Sequence, residues 1–193
     1  MPRKKKSVKR TKKEKSRRNK KKEPIKAVFT GETINSSSIE AKNLYGKSRF
    51  GEIVNKKVIY TLVEALYLLE KKKIQISHKG KKLSFSQLID KLKKLDKKIL
   101  TNYIVFKDLR NKGYIIKTAL KFGAEFRVYD KGAKPGKAHA KWILYPVQET
   151  DEFTWHDFAG KNRVAHSTRK NLLIAIVDQE QDISYYEISW TRP

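Results

Sequence analysis

The spacing of the apolar residues changes near Gly113, and this change restricts the possible folds more than any other feature. Before Gly113, apolar residues recur every three or four positions over residues 58–70, 85–95 and 99–111, which predicts three amphipathic helices. A glycine suits the position that directly follows a helix. After Gly113, short apolar runs typical of strands predominate. The chain therefore combines a helical middle with a sheet behind it.

The remaining elements follow from local signals. In the front half we predict short strands at 27–30 and 74–76, a serine-rich loop at 36–38, turns at Tyr45-Gly46 and Phe50-Gly51, and Ser84 as a helix N-cap. In the back half we predict strands at 114–116, 125–129, 138–147, 172–177 and 183–190, and a helix from Thr154 to Ser167. The pattern indicates an α+β (mixed α/β) fold. A small N-terminal α+β domain (25–98) precedes a C-terminal mixed β-sheet flanked by helices (99–193).

The charge is strongly positive and uneven. The formal net charge is +26, and residues 1–22 contain 14 Lys and Arg against the single acid Glu14. Such a segment cannot bury enough apolar surface to offset its chain entropy, so we expect a disordered basic tail over residues 1–24. The rest of the chain is also basic. This excess favours a polyanionic partner, with nucleic acid ahead of an anionic membrane surface.

Several classes of function are disfavoured by what the sequence lacks. It has no cysteine, which excludes disulfides, thiolate zinc sites and a cysteine nucleophile. It has no apolar run of about 18 residues, and no apolar segment follows the charged N-terminus. No histidine pair has zinc-ligand spacing, and the acids are scattered. We expect an intracellular, cytoplasmic protein without membrane association, metal or cofactor.

The abundant Tyr, His, Lys and Arg side chains are sufficient for metal-free cleavage of RNA. RNA carries its own nucleophile, the 2′-hydroxyl, and needs a base, an acid for the leaving 5′-oxygen and a cation for the phosphorane charge. Composition alone does not indicate which residues converge.

Three motifs narrow the choice. Residues 127–132, 136–140 and 163–173 occur in the order and spacing of the catalytic domain of the tRNA-splicing endonuclease family, which this part of the chain resembles. Residues 45–46 and 60–69 resemble the N-terminal domain of that family. The resemblance covers roughly residues 40–193 and implies a nuclease-like catalytic domain, with the chain as an archaeal catalytic subunit.

The resemblance implies a catalytic triad of Tyr129, His139 and Lys170. Tyr129 would deprotonate the 2′-hydroxyl, His139 would protonate the leaving 5′-oxygen, and Lys170 would stabilise the transition state. The products would be a 2′,3′-cyclic phosphate and a 5′-hydroxyl, formed without a metal. A tyrosine with a pKa of about 10 is hardly ionised at neutral pH. Either a nearby cation lowers that pKa, or Tyr129 mainly orients the hydroxyl.

The same resemblance implies the partners. Arg163 and Trp190 would hold an unpaired base of precursor tRNA, whose exon–intron junctions form a bulge–helix–bulge. A guanidinium and an indole can sandwich such a base, and stacking contributes roughly 1–3 kcal/mol per base. An acidic loop with Glu149, Asp151 and Glu152 would enter a pocket on a neighbouring subunit. The C-terminal strand, with Tyr185, would pair across an interface. A homotetramer and a heterotetramer with a structural subunit both remain open.

Two other functions compete with this interpretation. A non-catalytic RNA-binding protein, such as a structural subunit of the same complex, would be expected to lack part of the triad. A metal-dependent nuclease would need converging carboxylates, which the scattered acids do not supply.

Overall fold

The computed structural model describes residues 23–191, which contain five α-helices and eleven strands in two mixed sheets. The basic tail predicted for residues 1–24 lies, apart from the exposed Glu23 and Pro24, outside the described residues. In the part of the chain that is described, no helix is long and apolar enough to cross a membrane.

The N-terminal sheet has six strands in the order β3-β4-β2-β1-β5-β6. β1 and β5 are parallel, and the other pairs are antiparallel. The strands are β1 (Ile25–Phe29), β2 (Ile34–Ser36), β3 (Glu52–Val54), β4 (Lys57–Tyr60), β5 (Ile74–His78) and β6 (Lys81–Lys82). Three helices accompany them: α1 (Ile39–Ser48), α2 (Leu62–Glu70) and α3 (Phe85–Lys93).

The helix predicted for residues 58–70 is wrong in its first turn. Residues up to Tyr60 belong to β4, in which Val58 and Tyr60 are buried and Ile59 between them is half-buried. The helix begins after Thr61, whose side-chain oxygen accepts from the Glu64 backbone N–H at 3.3 Å, while the Glu64 carboxylate accepts from the Thr61 N–H at 3.1 Å. This reciprocal capping box sets the boundary that apolar spacing alone misses.

The turn predicted at Tyr45-Gly46 is also wrong, because both residues lie inside α1. Ser38 caps this helix by accepting from the Ala41 N–H at 3.1 Å. The turn at Phe50-Gly51 is confirmed: Gly51 has φ of +74°, and a β-carbon there would lie 2.5 Å from Val58 Cγ1. Only glycine fits this position.

The C-terminal sheet has the order β11-β10-β9-β8-β7, and only the β9–β10 pair is parallel. Its strands are β7 (Ile115–Ala119), β8 (Ala124–Tyr129), β9 (Trp142–Gln148), β10 (Asn171–Val177) and β11 (Ile183–Ile188). The helix α5 (Trp155–Ser167) connects β9 to β10. The strand predicted from residue 138 begins only at Trp142, and residues 142–147 are all buried rather than alternating. Apolar side chains on both faces of the sheet explain this continuous burial.

The helix α4 (Ile99–Asn111) matches its predicted bounds and lies between the helix α2 and the C-terminal sheet. Phe106 on α4 packs against Tyr67 of α2, with ring centroids 5.9 Å apart, and against Phe126 of β8 at 6.2 Å. One apolar core therefore continues from the N-terminal sheet to the C-terminal sheet. A smaller core lies on the other face of the C-terminal sheet and includes Ala165 of α5.

A buried ion pair joins the two sheets at their boundary. The Lys117 ammonium on β7 donates to the Gly51 carbonyl at 2.7 Å and to Glu64 Oε1 at 3.2 Å. The second oxygen of Glu64 accepts from the backbone N–H groups of Gly51 and Thr61, each at 3.1 Å. The side chains of Lys117 and Glu64 are 6% and 2% exposed. Both charges are thus satisfied without water, as burial requires.

Candidate active site

Strand register brings the three proposed catalytic residues to one edge of the C-terminal sheet. Tyr129 is the last residue of β8, His139 lies three residues before β9, and Lys170 directly precedes β10. Because β8 is antiparallel to β9 and β9 is parallel to β10, the end of β8 meets the starts of the other two strands. We call this the triad edge.

Backbone hydrogen bonds hold the chain at the triad edge. The Lys141 N–H donates to the Val128 carbonyl at 2.8 Å, and the Lys141 carbonyl accepts from the Asn171 N–H at 3.2 Å. The backbone next to Tyr129, the segment after His139 and the residue after Lys170 are therefore linked in one row. The three side chains come from neighbouring strands and not from one contiguous motif.

Tyr129 and His139 have opposite exposures. The Tyr129 residue is only 4% exposed and packs in a small apolar cluster with Ile115 and Ala140. His139 is exposed and lies in the loop before β9, not on a strand as the sequence pattern predicted. Packing thus restrains the tyrosine ring, whereas the imidazole is open to a ligand.

Lys170 is half-buried and is held close to other cations. Its ammonium donates to the Thr168 carbonyl at 2.5 Å and lies 5.8 Å from the centre of the Phe122 ring. Burial lowers the pKa of Lys170, and the positive charge of Arg127 lowers it further. The charged form of Lys170 is therefore less favoured than that of a free lysine.

The sequence analysis missed Arg127 and Phe122. The guanidinium carbon of Arg127 lies 5.8 Å from the Phe122 ring centre and 6.0 Å from the Tyr129 ring centre, and its Nε donates to the Thr118 carbonyl at 3.1 Å. Arg127 therefore lies near two of the proposed catalytic side chains. Its spacing of two residues from Tyr129 on one strand places both on the same face, which the sequence could have indicated. Phe122, in a one-turn 3₁₀ helix, gives no such signal.

Arg163 and Trp190 approach the triad edge from its other side. Trp190 follows the end of β11, which is antiparallel to β10, so it lies beside the start of β10. Its ring centre is 4.6 Å from that of His166 on α5. The exposed Arg163 precedes His166 by three residues, a spacing that makes the two neighbours on the helix surface. His166 thus contacts Trp190 and shares a helix face with Arg163, a role that the sequence did not indicate.

The acidic loop lies at the opposite edge of the sheet, where β9 and β10 end. Glu149 Oε1 accepts from the Gln179 N–H at 3.2 Å, and Asp151 Oδ2 accepts from the Gln148 N–H at 3.0 Å. Both residues and Glu152 are exposed. We call this the acidic edge, formed by residues 149–154 and the β10–β11 turn, residues 178–182.

Tyr185 on β11 is bound within its own chain. Its hydroxyl donates to Asp108 Oδ2 on α4 at 2.7 Å. Burial raises the pKa of Tyr185, and the neighbouring Asp108 carboxylate raises it further. The neighbouring Tyr186 is 56% exposed. Tyr186, not Tyr185, is therefore the tyrosine of β11 that faces outward.

Comparison with known protein families assigns both halves of the chain. The sequence model of the catalytic C-terminal domain of tRNA intron endonucleases matches residues 99–185. The model of the N-terminal domain of tRNA intron endonucleases matches residues 25–89. The chain belongs to the tRNA intron endonuclease family. The matched catalytic region contains Tyr129, His139, Lys170 and Arg163, whereas Trp190 lies just beyond it.

Relatives of this chain agree with the assignment to the tRNA intron endonuclease family. A tRNA-splicing endonuclease of Thermococcus onnurineus is 42% identical over 172 residues, which cover 89% of this chain and 99% of the relative. One of Methanothermobacter thermautotrophicus is 39% identical over 161 residues, 83% of this chain and 93% of the relative. One of Nanoarchaeum equitans is 47% identical over 138 residues, which cover 68% of this chain and 88% of the relative.

Proposed function

We propose that this chain is a catalytic subunit that excises introns from precursor tRNA and leaves a 2′,3′-cyclic phosphate and a 5′-hydroxyl. The observation that carries the proposal is the meeting of Tyr129, His139 and Lys170 at one sheet edge in a member of an endonuclease family. In this proposal residues 99–193 are the catalytic domain and residues 25–98 the N-terminal domain.

The chemistry is an in-line attack of the 2′-oxygen on the adjacent phosphorus. The 2′-O–P bond forms, the P–O5′ bond breaks, and one proton leaves the 2′-hydroxyl while another reaches the 5′-oxygen. Tyr129 accepts the first proton or orients the 2′-hydroxyl, and the Arg127 guanidinium carbon lies 6.0 Å from the centre of its ring. His139 donates the second proton, because its exposed imidazole is open to the leaving oxygen. Lys170 stabilises the phosphorane charge.

Recognition of the bulge–helix–bulge is proposed for Arg163 and Trp190. The contact of His166 with the Trp190 ring supports this role, because a restrained indole loses less entropy when a base stacks on it. Stacking on an unpaired base reads RNA shape more than sequence.

Assembly is proposed for the acidic loop, in a homotetramer or in a heterotetramer with a structural subunit. Phe153 and Trp155 adjoin the loop and are 39% and 85% exposed. Large exposed aromatic side chains beside charged groups are typical of protein–protein interfaces. They support a subunit contact at this edge.

The decisive experiment is cleavage of a labelled bulge–helix–bulge RNA by the purified chain in EDTA, beside a His139→Ala variant. We expect cleavage to a cyclic phosphate that the variant loses. RNA binding without cleavage, even after a candidate structural subunit is added, would favour a non-catalytic RNA-binding subunit. Cleavage that EDTA abolishes would favour a metal-dependent nuclease. Among residues 23–191, no three His, Asp or Glu side chains gather as a metal site would require.

A further inference from the structure

Two exposed lysines flank an aromatic pair at the triad edge. The Lys131 ammonium lies 5.6 Å from the centre of the Tyr114 ring, and the Lys141 ammonium lies 4.2 Å from that of the Trp142 ring. The two rings contact each other edge to face, with centroids 5.6 Å apart. We call Lys131 and Lys141 the lysine pair.

The aromatic rings hold the lysine pair in place. Trp142 is 8% exposed, so the ring beneath Lys141 is fixed by the core. The stem of Lys131 also lies along Gly113, where its Cδ would be 3.6 Å from an added β-carbon. A cation over an exposed aromatic face gains about 0.5–1 kcal/mol. The two ammonium groups are therefore partly ordered before any ligand arrives.

The nearest acids leave the lysine pair without an ion-pair partner. Three ion pairs occur among residues 23–191, and none includes Lys131 or Lys141. The Glu187 carboxylate accepts from the Asn171 side-chain amide at 2.5 Å. This hydrogen bond, then the Trp142 indole N–H, and then the positive charge of Lys141 hold the pKa of Glu187 below its usual range. Both ammonium groups can therefore take an anionic ligand.

The position of the lysine pair indicates which anion it binds. Lys131 follows Tyr129 by two residues, and Lys141 follows His139 by two residues. Both lysines therefore border the triad edge without belonging to the proposed triad. We propose that the lysine pair binds RNA phosphates near the cleaved one and so adds to the affinity for RNA, without taking part in the chemical step. This proposal rests on the proposed function, because it requires RNA at the triad edge.

The test replaces both lysines by glutamine and compares the variant with a matched control. Lys56→Gln with Lys57→Gln removes the same charge from exposed positions at the β3–β4 turn. RNA affinity is measured over a salt series in the His139→Ala background, so that the RNA stays intact. Single-turnover cleavage is measured with His139 present, at saturating protein.

We expect the lysine-pair variant to lose about fivefold in RNA affinity per lysine near 0.1 M salt, because each lost phosphate contact lowers the salt slope by about 0.7–0.9. The cleavage rate at saturation should stay within about twofold, and the control should change neither quantity. Replacing Lys131 and Lys141 by arginine instead should give the same salt slope as the two lysines.

Two results would overturn the proposal. An equal loss of slope in the control would mean that only net charge matters. An unchanged slope with a slower saturated rate would move the lysines into the chemical step. Wild-type protein that binds RNA without cleaving it would reject the proposed function instead, and the slopes would still decide whether the lysine pair binds phosphate.

Discussion

The two edges of the C-terminal sheet have the same strands between them but opposite charge. The triad edge carries Lys131, Lys134, Lys137, His139, Lys141, Arg169 and Lys170, and the acidic edge carries Glu149, Asp151, Glu152, Asp178, Glu180 and Asp182. The seven-residue strands β9 and β10 hold these groups roughly 20 Å apart. At that distance exposed charges are screened from each other at physiological salt. The charges of the two edges therefore suit the two proposed roles, RNA binding at the triad edge and a subunit contact at the acidic edge.

The helix α5 runs from the acidic edge to the triad edge, and the charge at each of its ends suits the edge that it meets. It begins beside the acidic loop, with Asp157 in its first turn, and ends beside Lys170. A helix has partial positive charge at its N-terminus and partial negative charge at its C-terminus. Acids near its start and cations near its end are both stabilised. The separation implies that chemistry and assembly can be changed independently, which the following experiments test from the largest effect to the smallest.

Histidines at the two edges give the strongest contrast. His139→Ala should lower the cleavage rate by about 10²–10⁴, because a positioned general acid is lost. His156→Ala removes an exposed histidine from the start of α5, next to the acidic edge, and should leave the rate unchanged. Single-turnover cleavage measures both. Similar losses in the two variants would contradict the division between the edges.

Charge reversal in the acidic loop with Glu149, Asp151 and Glu152 should affect assembly and not chemistry. Glu152→Lys is preferred over changes at Glu149 or Asp151, since those carboxylates accept backbone hydrogen bonds within the chain. We expect the dissociation constant of the subunits to rise by about tenfold or more, because like charges then face each other in the proposed contact.

The matched control is Glu180→Lys, which reverses an exposed acid in the β10–β11 turn. It should leave the sedimentation profile unchanged. If both variants weaken subunit association equally, the effect is one of general charge. If Glu152→Lys does not weaken subunit association, the loop has no role in assembly.

The smallest effect concerns the cation beside Lys170. The positive charge of Arg127 lowers the pKa of Lys170, so Arg127→Gln should raise it. In the proposed mechanism, Lys170 stabilises the transition state only when it is protonated. The basic limb of the pH–rate profile that Lys170 sets should therefore move to higher pH.

Arg110→Gln is the control for lost stability. The Arg110 guanidinium donates to the Ser48 carbonyl at 2.8 Å and to the Tyr114 carbonyl at 3.1 Å. This variant should lower the melting temperature and leave the basic limb in place. If the basic limb of the pH–rate profile does not move in Arg127→Gln, Arg127 does not influence the proposed chemical step.

Local sequence signals explain which elements could be predicted. The helix α4 combines regular apolar spacing with Gly113 at its end, and both bounds are correct. The helix α1 was missed because Ala41 is its only buried residue, and because the serines before it and the glycine within it resemble a loop. Tertiary contacts decide such segments more than propensity does. The first turn predicted for α2 failed for the same reason.

The residues of the candidate site also divide into those that the sequence indicates and those that only the structure indicates. Tyr129, His139 and Lys170 follow from the order of motifs along the chain. Arg127, Phe122 and His166 matter because of which rings and charges they meet in space, and single-residue patterns carry little of that information. Strand register supplied the missing step.

The buried pair of Lys117 and Glu64 has a consequence for how this fold can evolve. Either residue alone would be a desolvated charge without a partner, and breaking such a pair costs about 3–5 kcal/mol. The two halves of the chain are therefore not interchangeable parts. A recombined gene that took its front half from one ancestor and its back half from another would keep this contact only if it carried the lysine, the glutamate and Gly51 together.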